Sequence, residues 1–162
     1  MTPEEKLASL GYSVTPLILD AGLLLHATRS GNLVYTSGQV SVRDDLAIKG
    51  KVGADLNLEQ AREAARFCTL NCLRAIKSLV GSLDRVARIV KILGMVNVAA
   101  GFDQTPAVID AGSELLIDIF GEAGKHARSA VGMTVPFNFA VEIEMIAEIH
   151  RTAEQEFQML PQ

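Results

Sequence analysis

Val141-Glu142-Ile143-Glu144-Met145-Ile146-Ala147-Glu148-Ile149 decides the fold class. Val141, Ile143, Met145, Ala147 and Ile149 share one side of an extended chain, and Glu142, Glu144, Ile146 and Glu148 share the other. A period of two is that of a strand, whose successive side chains point to opposite faces. One face of this strand therefore packs beneath helices. The other is neither fully apolar nor freely polar. Upstream, Arg128 to Thr134 reads as a strand, joined near Pro136-Phe137-Asn138 to a last strand over Phe139 to Ile149.

The chain before these strands alternates between the two periodicities. Ala61, Ala65, Cys68, Cys72, Ala75 and Leu79 recur at three and four, so Leu58 to Val80 is a helix with Asn57 as N-cap and Gly81 as its stop. Val86 to Ala100 is a long strand rich in Val and Ile. Thr105-Pro106 opens a second helix, which runs to Phe120 and ends at Gly121. Nearer the start, Leu17 to Asp20, Leu23 to Thr28 and Leu33 to Val40 read as strands, and the glycine-bearing stretch from Ser41 to Ala54 as a loop. Thr2-Pro3-Glu4-Glu5 has the form of a capping box, which starts a short helix over about 3–10. The expected order is three strands, helix, strand, helix, two strands: an α+β fold with both main helices on one sheet face. It forms a single domain over 1–162, with a core at about 16–150 and a loose polar tail over 151–162.

Composition narrows the function classes. At 162 residues, 49% hydrophobic and 21% charged, the chain is neither disordered nor collagen-like. A net charge of −4 offers no basic stripe for a nucleic acid. The start is acidic where a signal peptide is basic, and the apolar run from Pro16 to Leu25 is broken by Asp20 and too short to span a bilayer. Cys68 and Cys72 lie four apart on one helix face and match no zinc spacing; they read as core residues of a cytoplasmic protein. The mean hydropathy of +0.25 is high for so small a chain and points to apolar surface hidden against partner subunits.

The chemistry gathers near the C-terminus. If the strands holding Arg128 and Glu142 form a hairpin, the two side chains lie close together on one face. An arginine held by a carboxylate presents a rigid fork to a second carboxylate, and a glutamate facing a cavity can activate a water. On the residues alone, an ordinary cross-strand ion pair worth about 1 kcal/mol or less is the favoured reading. Ser37 and Ser129 lack the GxSxG setting of a nucleophile, and His126 and His150 lack a second metal ligand. At Thr105-Pro106 no glycine-rich loop accompanies the helix start, so capping explains it better than anion binding.

Three segments add a resemblance. Gly31-Asn32-Leu33-Val34-Tyr35-Thr36-Ser37-Gly38-Gln39-Val40, Ala127-Arg128-Ser129-Ala130-Val131 and Val141-Glu142-Ile143-Glu144-Met145-Ile146-Ala147 resemble the GN-x-x-x-x-SGQ, ARS-x-V and EIEAIA segments of the RidA/YjgF (L-PSP endoribonuclease-like) family. The likeness runs from about Leu23 to Ile149. It implies a chorismate-mutase-like mixed β-sheet, a homotrimer, and small-carboxylate sites in clefts between subunits. The implied reaction is hydrolysis of reactive 2-imino acids to 2-oxo acids and ammonia, without metal or organic cofactor. Carried over by position, Arg128 grips the substrate carboxylate, Glu142 orients the attacking water, and backbone around Ser37, Gly38 and Ala130 shapes the pocket. Leu24 stands where the family usually has a Tyr, Ala130 where it often has a Cys, and the Arg128–Glu142 spacing is one residue short. His26 lies two residues beyond Leu24. These departures mark a divergent subgroup and leave a second reading, a non-catalytic trimer that binds a small carboxylate.

Overall fold

The computed structural model describes residues 1–151, so all but the first residue of the expected polar tail lies outside the described residues. The N-terminal helix, α1 (Pro3–Ser9), starts on the expected capping box: the Thr2 hydroxyl accepts from the Glu5 amide while the Glu5 carboxylate accepts from the Thr2 amide. An irregular arm follows. The runs Leu17–Asp20 and Leu23–Thr28, read above as two strands, meet only through one bridge between Asp20 and Leu25. Their apolar residues are not paired into a sheet: Ile18, Leu23, Leu24 and Leu25 are exposed.

Regular pairing begins with β1 (Ala27–Ser30), β2 (Leu33–Thr36) and β3 (Gln39–Val40). The stretch read as a loop contains a small ribbon, β4 (Val42–Arg43) with β5 (Leu46–Ala47), turned through Asp44 at a φ of 52°. The main elements follow as α2 (Leu58–Val80), β6 (Val86–Asn97), α3 (Thr105–Phe120), β7 (Ala127–Met133) and β8 (Val141–Ile149). Asn57 caps α2 as expected, in a reciprocal box with Gln60.

The sheet order is β1-β2-β8-β6-β7, with β3 also paired to β8. β6 runs antiparallel to β8 and parallel to β7, and α3 supplies the crossover that a parallel pair requires. The hairpin between the last two strands does not form. β6 lies between them, because only a strand already seated beside β8 lets α3 cross over and cover the same face as α2.

That face is the core. Val141, Ile143, Met145, Ala147 and Ile149 are all buried there, together with Ile89 and Ile92 of β6, Leu73 and Ile76 of α2, and Ile109 and Leu116 of α3. Contact between α3 and β6 is close: a Cβ on Gly94 would sit 2.5 Å from Ile109. The opposite face carries Leu93, Met95, Ile146, Tyr35, Val131 and Met133 beside the glutamates, partly exposed and covered by no helix among the described residues. Among the described residues no helix is long and apolar enough to cross a membrane.

Candidate active site

Register separates the two residues that the sequence brought together. Arg128 is opposite Ile92, which is opposite Met145, so Arg128 projects to the helix-covered face. Glu142 is opposite Met95, three residues further along β6, and projects to the open face. Two strand spacings and three residue steps place their Cα atoms roughly 14 Å apart. Within one chain they form no ion pair, so neither the close pair nor the plain cross-strand bridge expected above is present.

Arg128 is held from α3 instead. Its Nη1 donates to Asp110 Oδ1 at 2.7 Å and to Ser113 Oγ at 3.2 Å, and a quarter of the side chain stays exposed. Ser113 Oγ lies 3.1 Å from His126 Nε2, and His126 Nδ1 lies 2.6 Å from the Gly124 carbonyl. A carbonyl only accepts, so Nδ1 carries the proton and Nε2 accepts from Ser113, whose oxygen is then free to accept from Arg128. Burial pushes the His126 pKa down, against the Gly124 carbonyl and with help from the Arg128 charge, which favours the neutral ring. The chain Gly124–His126–Ser113–Arg128, with Asp110, orients one guanidinium fork. Asp110 and Ser113 share a side of α3 three residues apart, a spacing readable in the sequence. Their partner was not readable there, because it lies on another element.

Glu142 meets another predicted position. A Cβ on Gly38 would land on the Glu142 Oε1 atom, so only glycine lets this carboxylate lie against the backbone between β2 and β3. Desolvation raises the Glu142 pKa, and the like charge of Glu144 two residues on raises it further. Gly38→Ala is expected to displace the carboxylate with the fold retained, and to slow by about 100-fold any reaction in which that carboxylate takes part, since a misplacement of about an ångström costs that much. Steady-state rates and circular dichroism on the same preparation check both halves.

The remaining predicted positions fall nearby with structural duties. The Ser37 hydroxyl donates to the Leu25 carbonyl at 2.6 Å, and its amide donates to the His26 carbonyl at 2.9 Å, which tethers the arm. Leu24 lies on that arm, half exposed. Ala130 is on the helix face beside Gly94, and its carbonyl accepts from Thr105 Oγ1 at 3.1 Å. Thr105 thus ties α3 to β7 and does not act as the expected cap. His26 Nδ1 is 3.4 Å from Gln39 Nε2. Cys68 and Cys72 donate to the Val141 and Ile143 carbonyls, and burial pushes the Cys72 thiol up to about 12. Both are inert core thiols. Among the described residues no cluster of His, Cys, Asp or Glu could hold a metal ion.

Comparison with known proteins agrees with this fold. The family model described as YjgF/chorismate mutase-like, which also carries an endoribonuclease label, matches residues 7–149. Protein TCP17 of Trypanosoma cruzi is 36% identical over 124 residues, 75% of this chain and 78% of that protein. The crystal structure of Atu1372 from Agrobacterium tumefaciens, of unknown function, superposes with a TM-score of 0.84 at 37% identity, over 93% of this chain and 94% of that one. Escherichia coli TdcF with bound serine shares the fold at a TM-score of 0.57 and 23% identity, over 85% of this chain and 94% of that one.

Proposed function

This chain belongs to the YjgF/chorismate mutase-like (RidA/YjgF) family, and on that footing we propose that it hydrolyses small, reactive 2-imino acids to 2-oxo acids and ammonia. The observation that carries the reading is the Glu142 carboxylate, held against Gly38 on the open sheet face with its pKa raised by desolvation and by Glu144. A base so placed takes a proton from water as the oxygen attacks the C=N carbon. With the imine nitrogen already protonated, this attack gives a neutral carbinolamine. Glu142 then returns its proton to the carbinolamine nitrogen, and the C–N bond breaks as the hydroxyl proton passes to the departing ammonia, leaving the 2-oxo acid. Arg128 takes the substrate carboxylate through the part of its fork that Asp110 leaves free, which selects acids over simple imines.

Because Arg128 and Glu142 point to opposite faces of one sheet, a substrate that meets both needs more than one chain. The reading therefore includes a homotrimer in which the β7 edge of one copy lies against the Glu142-bearing face of the next. The apolar residues on that face, Leu93, Met95, Val131 and Met133, are suited to such a cover. The serine held by TdcF is a small carboxylate of the size required. The net charge of −4 argues against RNA as the substrate behind the family label. Two unpaired thiols fit the reduced cytoplasm.

A coupled assay tests this. An amino-acid dehydratase dependent on pyridoxal phosphate releases the imine, and semicarbazide traps what escapes hydrolysis. The wild-type protein is expected to lower semicarbazone formation, and Arg128→Ala to weaken that effect about 10- to 100-fold, as loss of a charge-assisted contact does. Equal inertness of both proteins across several imino acids ends the reading. Leu24, where relatives usually supply a hydroxyl, favours a second one: a trimer that binds a small carboxylate without turning it over. Thermal stabilisation by 2-oxo acids without any effect on the trap would select it.

A further inference from the structure

The arm that precedes β1 encloses a cleft of about 600 Å³ against α2 and the β3–β4 segment, and neither Arg128 nor Glu142 lines it. Two guanidinium groups face this cleft. Arg74, on α2, spends its Nε on the Thr15 carbonyl at 2.6 Å, which leaves both terminal nitrogens of the fork without a partner among the described residues. Arg43, on β4, rests over the ring of Tyr12 with its central carbon 5.3 Å from the centroid. Its one ion-pair partner among the described residues, Asp44, is 3.8 Å from Nε and 91% exposed, so that carboxylate leaves the fork available. Asp44 is also the single acidic residue among those lining the cleft.

An acceptor completes the set. Asn71 donates through Nδ2 to the Val40 and Val42 carbonyls, at 3.1 and 2.7 Å, which fixes the amide's orientation. Its Oδ1 then has no partner among the described residues. Val14, Val40 and Leu70 supply apolar wall between these groups. Two like charges held at one concave surface repel each other, and an anion between them reverses the sign of that term. Guanidinium forks match the paired oxygens of a carboxylate or phosphate. Pockets that combine apolar walls with a few converging polar groups are the usual form of a small-molecule site.

We propose that this cleft is a second binding site, distinct from the deaminase reading, for a small molecule with an anionic oxygen group and an apolar body. Arg43 and Arg74 hold the anionic group, and Asn71 Oδ1 accepts from a hydroxyl or amino group of the ligand. Gly38, which seats Glu142, lies at the edge of this cleft, but the three groups that would hold the ligand lie on β4 and α2, which the hydrolytic reading leaves unused.

Calorimetric titration of the full chain with benzoate and with phenyl phosphate tests this, the two probes sharing a ring and differing in the anion. At least one probe is expected to bind, with an affinity that falls as salt rises; the tighter probe identifies carboxylate or phosphate as the natural group. Arg74→Gln and Arg43→Gln are each expected to weaken binding at least about tenfold, and Arg128→Ala to leave it unchanged. Arg43 bonds no backbone group among the described residues, so its replacement tests the site even if Arg74→Gln loosens the arm. Absence of binding by both probes, wild-type affinity in Arg43→Gln, or loss of binding on Arg128→Ala overturns the proposal.

Discussion

Glu142→Gln is expected, on the hydrolytic reading proposed above, to slow imine hydrolysis by roughly 10²- to 10⁴-fold, the usual cost of losing a general base, while the protein stays folded. Glutamine keeps the shape that fits against Gly38 and removes only the ability to take a proton. The pH profile adds a second readout. Burial on the open sheet face raises the Glu142 pKa, and the Glu144 charge raises it further. The ionised form is the base, so activity falls as pH drops through that raised value, at a higher pH than an ordinary glutamate would give. Glu144→Gln removes one of the two causes and moves the acid limb of kcat/KM to lower pH. For stability the sign is opposite: a carboxyl whose pKa is raised in the folded state binds its proton more tightly there. Its contribution is fullest below the unfolded pKa and is lost as pH rises through the folded one. Wild-type rates in Glu142→Gln, or an unmoved acid limb in Glu144→Gln, would remove Glu142 from the role of base.

Ile143→Ala is expected to cost about 2–5 kcal/mol of stability, the range for deleting a large aliphatic side chain from a filled core. Ile143 is fully buried, opposite Gly94 of β6 on one side and Gln39 of β3 on the other. Its side chain sits where the sheet meets both helices, within 3.6 Å of where a Cβ on Gly112 of α3 would be. Neighbours that are themselves close-packed relax little into the space left behind, so the cavity adds to the lost burial. At about 2–4 °C per kcal/mol for a chain of this length, the melting temperature drops by roughly 10 °C. Denaturation at one fixed protein concentration measures it, since any assembly makes the midpoint depend on concentration. A loss below about 1 kcal/mol would mean that the helices do not close over β8 as described. Glu144→Ala, on the exposed side of the same strand, serves as the comparison.

The two substitutions lie one residue apart and act through unrelated physics. Period-two alternation in 141–149 separates them before any fold is known, with Ile143 on the buried side and Glu142 on the side left open. Local signals of this kind were legible throughout. The capping box at Thr2, the N-cap at Asn57, the bounds of α2 and α3, and the helix-covered face of β8 all follow from spacing over a few residues. Less legible were segments without a period. The arm from Leu17 to Leu25 is apolar enough for strands but pairs only with itself, through one bridge, and the β4–β5 ribbon is too short to show alternation.

The sequence by itself determined the α+β class, the membership of the two main helices and four of the five major strands (β2, β6, β7 and β8), and the motifs that place the chain in its family. Only the tertiary structure decided strand order. A short connection between β7 and β8 reads as a hairpin because local turn geometry is all that a sequence window contains. The order β8-β6-β7 is chosen by the need to bury α2 and α3 on one face, a requirement summed over contacts far apart in the chain. That choice separates Arg128 from Glu142, gives Arg128 to Asp110 and Ser113, and leaves the substrate to be shared between copies of the chain under the reading proposed here. Arg43 and Arg74, 31 positions apart on elements with no common motif, face one cleft for the same reason: side chains converge through packing, which no local period records.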